Sequence, residues 1–203
     1  MLSDYQQRLH EQFLSVPVIS PPAPWRPVPD RYIPISGLLG IGFAPDLDDG
    51  SDLVMVVSTG GHGLFDAGTG EKIARDRNPD PDGSTPDAVP DLSCPGLGPL
   101  SATRVHIAGL FGGGLHSTTQ DGWTLAVVSP EWPHDRVLLS TDGGMHNGPH
   151  GESWWHILDS DCSELRAAGF SPSGCTLAVA TSSDLTLWTR PPHDTATPGE
   201  AGA

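Results

Sequence analysis

The residues best equipped for chemistry crowd into Gly144 to His156, GMHNGPHGESWWH. His146, His150, Glu152 and His156 carry imidazole and carboxylate groups, the ligands that zinc prefers. Two histidines at i and i+4 work as a pair when a helix stacks them on one face. Here Gly148 and Pro149 fall between His146 and His150, where a helix would have to run. The spacing favours a solvated loop, and neither a metal nor another cofactor is assigned.

Three further clusters invite the same scrutiny. Asn78-Pro-Asp80-Pro-Asp82-Gly83 matches the first half of a calcium loop, but Val89 stands where the bidentate Glu belongs. Calcium is therefore not assigned to the acidic loop 76–92, nor to Asp46, Asp48, Asp49 and Asp52, which lack the spacing. Gly112 to Thr119, GGGLHSTT, combines flexible backbone with hydroxyls and His116. A phosphate cradle needs a helix to follow, whereas Asp121-Gly122 and a second strand follow here. His116 and Ser117 are adjacent, and neighbours on an extended segment point apart, so no catalytic residue is assigned. Trp154 and Trp155 are the binding candidates, since aromatic side chains dominate recognition hot spots. Strand alternation would bury one and expose the other; Trp155 is assigned to packing and Trp154 to a partly open position, with the reverse close behind.

The elements that must position these residues read as follows. Residues 1–16 form an N-terminal amphipathic helix: Ser3 and Gln6 make a capping box, and Leu2, Tyr5, Leu9 and Phe13 form a stripe. Residues 17–34 hold seven prolines and read as a stiff extended strap anchored by Trp25 and Tyr32. Residues 35–190 form a β-rich domain, with strands at Leu38–Phe43, Leu53–Val57, Gly63–Phe65, Glu71–Ala74, Arg104–Leu110, Trp123–Val128 and Arg136–Ser140. Arg75 to Leu100 has no periodicity and reads as a long loop. Gly169 to Arg190 reads as a turn followed by two alternating strands. Residues 191–203 have nothing to bury and read as a disordered tail.

Ala44-Pro45, Ser129-Pro130 and Ser171-Pro172 each precede a strand pair, at spacings of 85 and 42 residues. A period near 42 suits a four-stranded propeller blade. Phe170-Ser171-Pro172-Ser173-Gly174, Ser183-Asp184 and Trp188 come in an order that resembles the WD-repeat β-propeller family. Phe43-Ala44-Pro45-Asp46 and Phe65-Asp66 follow it more loosely. The resemblance covers about 70 residues, lacks the Trp-Asp dipeptide because Thr189 follows Trp188, and implies a scaffold for protein contacts. It also implies that Phe170 and Trp188 are buried. The expected fold is all-β: about four propeller-like units of short antiparallel strands, one degenerate, with a short N-terminal helix. A β-sandwich or open twisted sheet is the alternative.

Composition narrows the function. The formal charge is −15, with 25 acidic residues against 10 Lys and Arg. Such a surface repels nucleic acid and anionic membranes and attracts basic partners. No apolar run reaches the ~20 residues that span a bilayer, and no leader is visible. The three cysteines match no zinc pattern, so a reducing cytoplasm is expected. The expected role is a non-enzymatic acidic protein-interaction module: a scaffold, or an inhibitor of a basic partner in the manner of an immunity protein. The alternative is a hydrolase or metal-dependent enzyme using residues 146–156 or 112–119.

Overall fold

Ser3 opens the helix α1 (Asp4–Ser15) through the expected capping box: its hydroxyl accepts from the Gln6 amide, and its own amide donates to the Gln6 side chain. The computed structural model of the chain describes residues 3–79, 85–86, 91–160 and 162–192. The described residues are mostly β, 47% strand and 8% helix, in antiparallel sheets, and among them no sheet closes into a barrel. Among the described residues no helix is long and apolar enough to cross a membrane.

The strands run in chain order as β1 (Arg26–Pro34), β2 (Leu38–Pro45), β3 (Asp52–Ser58), β4 (Gly61–Asp66), β5 (Lys72–Asp76), β6 (Ser93–Pro95) and β7 (Arg104–His106). They continue as β8 (Ala108–Gly109), β9 (Thr124–Glu131), β10 (His134–Ser140), β11 (Trp154–Asp159), β12 (Leu165–Phe170), β13 (Thr176–Thr181) and β14 (Asp184–Thr189). Four sheets result: β5-β4-β3-β2-β8, the pair β6-β7, β11-β10-β9, and β1-β14-β13-β12.

The sheet that ends the chain lies between two others. Ala178, Ala180, Leu185 and Leu187 pack with Val54, Val56 and Phe65 of the first sheet. Leu177, Val179 and Trp188 pack on the opposite side with Leu125, Val137, Leu139 and Ile157. Every residue of β13 is therefore buried, which is why its sequence, TLAVAT, carries no charge. Phe170 and Trp188 are both buried, as the resemblance implied. Across the first sheet, Leu53, Met55, Val57 and Leu64 face a separate core with Cys94, Leu100 and Val105. A carboxylate ties two sheets together: Ser173 and Thr176 both donate to Asp52 Oδ2 at 2.7 Å.

Several expectations are corrected. The proline strap is in part a strand, β1, paired with β14 from Arg26↔Thr189 to Pro34↔Asp184. Proline lacks a donor and is tolerated at a sheet edge, where β1 lies. Trp25 is the buried anchor expected, stacked on Phe170 at 5.5 Å, whereas Tyr32 is 57% exposed. The long loop Arg75 to Leu100 contains β6 and a short 3-10 turn, Gly98–Leu100. The expected strand is broken at Ile107 into β7, which holds Val105, and β8, and the two pair with different partners. Asp80, Asp82, Gly83 and Val89 of the calcium-like stretch lie outside the described residues, as do residues 193–203 of the expected tail.

Candidate functional site

The His-rich segment is only in part a solvated loop: Met145, Asn147, Pro149, Gly151 and Glu152 are exposed, but His146 is not. His146 is buried, with its ring edge-on to Phe13 at 5.4 Å and to Trp154 at 5.6 Å, while Phe13 and Trp154 are 5.7 Å apart. The three rings close a triangle under α1. Trp154 is fully buried, and its indole N–H donates to the Gly148 carbonyl at 2.9 Å. The partly open position expected of Trp154 is therefore corrected, and Trp155 is buried as well, against Trp123 at 5.8 Å. Both tryptophans begin β11, whose two faces are each covered: one by α1, the other by the core shared with the last sheet.

The remaining candidates are separated by their contacts. His150 lies over Trp154 at 4.8 Å, and its Nε2 accepts from the His156 amide at 3.3 Å. The buried His156 ring lies between the carbonyl oxygens of Val16, 3.4 Å away, and Leu158, 3.1 Å away. Glu152 is exposed. Among the described residues, no group of three or more His, Cys, Asp or Glu side chains could hold a metal ion. Burial pushes the imidazoles of His146, His150 and His156 below their ordinary value. For His146 the nearby Asp142 pulls the other way, and for His156 the Val16 and Leu158 carbonyls and Asp159 do so, while Arg136 adds to the depression.

Residues 112–119 make backbone contacts that tie two sheets together. The His116 carbonyl accepts from the Phe170 amide at 2.7 Å, and the Ser117 carbonyl accepts from Leu125 at 2.8 Å. The stretch thereby bridges β12 and β9, leaving the His116 and Ser117 side chains exposed. Next to it, Thr119 donates to Asp121 at 2.7 Å, and Asp121 receives both terminal nitrogens of Arg190, one of them at 2.6 Å. Arg190 also donates through Nε to the Gly174 carbonyl at 2.7 Å and lies 4.8 Å over the Trp25 ring. The Arg190 guanidinium holds the Asp121 carboxyl well below the usual carboxylate range.

The exposed aromatic is one that alternation did not single out. Trp132 is 84% exposed, whereas the other five tryptophans are at most 9% exposed. It stands with Pro133 in the turn that joins β9 to β10, where Glu131 pairs with His134. The turn is braced from α1, since the His10 Nε2–H donates to the Pro130 carbonyl at 2.8 Å. Val127 on β9 is exposed too. The available signal was a Trp between two prolines, Pro130 and Pro133, at a predicted strand-to-strand turn. Comparison with known proteins finds no matching family model, no matching curated protein and no matching solved structure.

Proposed function

We propose that the chain is a non-enzymatic, acidic protein-interaction module that takes a basic protein partner on the face around Trp132. The observation that carries this reading is the exposure of Trp132 in a molecule that buries every other tryptophan. Leaving a large aromatic surface in water forgoes about 1.5–3 kcal/mol of burial, and exposed aromatics are the residues that anchor interfaces. Glu131 beside it and Glu11 on the braced helix are exposed, and the net charge of −15 would speed encounter with a cationic partner.

A propeller-like arrangement is part of the same proposal. Pro45 ends β2 ahead of β3, Pro130 lies near the end of β9 ahead of β10, and Pro172 lies between β12 and β13. Each proline thus falls between the first and second of three consecutive antiparallel strands. The pair β6-β7 stands for the degenerate unit, and β1 completes the last sheet from the other end of the chain. Modules of this kind present loops and turns from a rigid body, which suits binding better than chemistry.

The test is affinity capture from host cells with the wild-type chain and with Trp132→Ala. Proteins of high isoelectric point that copurify with the wild type, are released by 0.5 M salt (about a 4 Å Debye length) and are missing with the variant support the proposal. An identical set retained by both chains contradicts it.

A further inference from the structure

The β4–β5 hairpin carries a cleft whose lining opposes the character of the whole chain. Lys72, the chain's only lysine, and Arg75 line it, and among the described residues no carboxylate does. In a chain with 25 acidic residues this is a local reversal of charge. Arg136, Arg166 and Arg190 make ion pairs, while among the described residues no carboxylate pairs with Lys72 or Arg75.

The cavity, about 340 Å³, follows from the register. Val56, Gly63 and Arg75 lie opposite one another across three strands, and Val54, Phe65 and Lys72 form the next row. A skipped residue at Ile73 restores alternation, so Lys72 and Arg75 project on the same face. Gly63 lets the Phe65 ring lie across the middle of that face, for a Cβ there would stand 3.0 Å from the ring. Phe65, Val56 and Ile35, the last in the connection from β1 to β2, supply the apolar lining. Arg75 donates one terminal nitrogen to the Gly60 carbonyl at 3.1 Å, which orients the guanidinium. Lys72 Nζ lies 5.5 Å from the Phe65 ring centre, holding the ammonium over the ring.

We infer that this cleft binds a small organic anion: a single negatively charged head on a flat apolar body. Pockets of this size and lining take such ligands, with a few polar groups fixing the orientation. The two cations meet the head group, and the body lies against Phe65 and the backbone at Gly63. Carboxylates and phosphate monoesters share this chemistry, and the inference does not depend on the Trp132 face.

Amide shifts of the full chain, followed during titration, test the inference. The probes are benzoate and phenyl phosphate, with benzylamine and inorganic phosphate as controls, each to about 10 mM, a concentration that saturates a millimolar site. Saturable shifts confined to residues 58–65, 72–75 and 34–36 are expected with at least one aromatic anion. Benzylamine should give none, and inorganic phosphate should bind at least about tenfold more weakly. The paired change Lys72→Gln and Arg75→Gln should abolish the shifts and leave the rest of the spectrum in place, and Lys72→Arg should retain them. The inference fails if neither aromatic anion shifts these amides, if benzylamine or inorganic phosphate binds equally well, or if the paired variant still binds.

Discussion

At the N-terminal end Phe13 is held between two neutral rings, His146 and Trp154, whereas at the C-terminal end Arg190 is held by the carboxylate of Asp121. Both contacts join segments far apart in the chain: Phe13 lies near the end of α1, and Arg190 directly follows β14. They differ in what water would do to them. The ring triangle needs His146 uncharged, because its Nε2 is buried with no hydrogen-bond partner. The Arg190 contact needs its charge, which is matched by Asp121, Gly174 and the Trp25 face. One end of the molecule is therefore weakened by adding a proton to an imidazole, and the other only by adding one to a carboxylate that resists it. The N-terminal fastening also supports α1, which braces the Trp132 turn through His10, so it is the end nearer the proposed binding face.

Breaking the charged contact should have the largest effect. Asp121→Ala strands a guanidinium whose side chain is 5% exposed, and removing one partner of a buried pair costs about 3–5 kcal/mol. Urea midpoints measure the loss. Replacing Asp121 and Arg190 together with apolar residues should recover much of it, since the pair itself contributes little net stability.

The neutral contact is weaker. His146→Ala removes two edge-on ring contacts, each worth about 0.5–1.5 kcal/mol, and relieves one unpartnered nitrogen, so a net cost of about 1–2 kcal/mol is expected. A solvated His146 would instead have given a change within about 0.5 kcal/mol. The same urea series separates the two outcomes.

Acid distinguishes the two ends further. A histidine whose folded pKa lies below its ordinary 6.5 takes up protons more readily when unfolded, so its stabilising effect is present above 6.5 and lost as pH falls below it. The Asp121 contact behaves likewise below 3.8 only. Stability should thus decline between pH 7 and pH 5, and His146→Ala should flatten that decline while Asp121→Ala leaves its slope unchanged. Urea midpoints across this range are the measurement.

Much of the last sheet was legible because Gly169 to Arg190 alternates between turns. Its partner β1 was hidden by Pro27, Pro29 and Pro34, which suit an extended strap and a sheet edge alike. The His-rich segment was misread for a different reason. Gly148 and Pro149 do exclude a helix, but burial of His146 and Trp154 depends on Phe13, which local pattern cannot bring to them. The buried role of Arg190 was equally invisible, because its partner Asp121 lies in a Gly-rich turn typical of solvated loops. Trp132 carried a signal that alternation overlooks, a large aromatic in a turn.

The smallest effect on stability should come from the residue given the largest role in binding. Trp132→Ala removes little packing, and a surface change of this kind stays within about 0.5 kcal/mol by urea midpoint. A larger loss would mean that Trp132 belongs to the fold rather than to an interface.

Hydroxyl-radical footprinting of the full chain, in buffer and in lysate of the host cell, tests the proposed binding face most directly. In buffer, Trp132 should be oxidised well ahead of Trp25, Trp123, Trp154, Trp155 and Trp188. In lysate, after normalisation to exposed Met145, that oxidation should fall and the fall should be reversed by 0.5 M salt, where the Debye length is about 4 Å. Equal reactivity of Trp132 in buffer and in lysate would contradict a partner on this face.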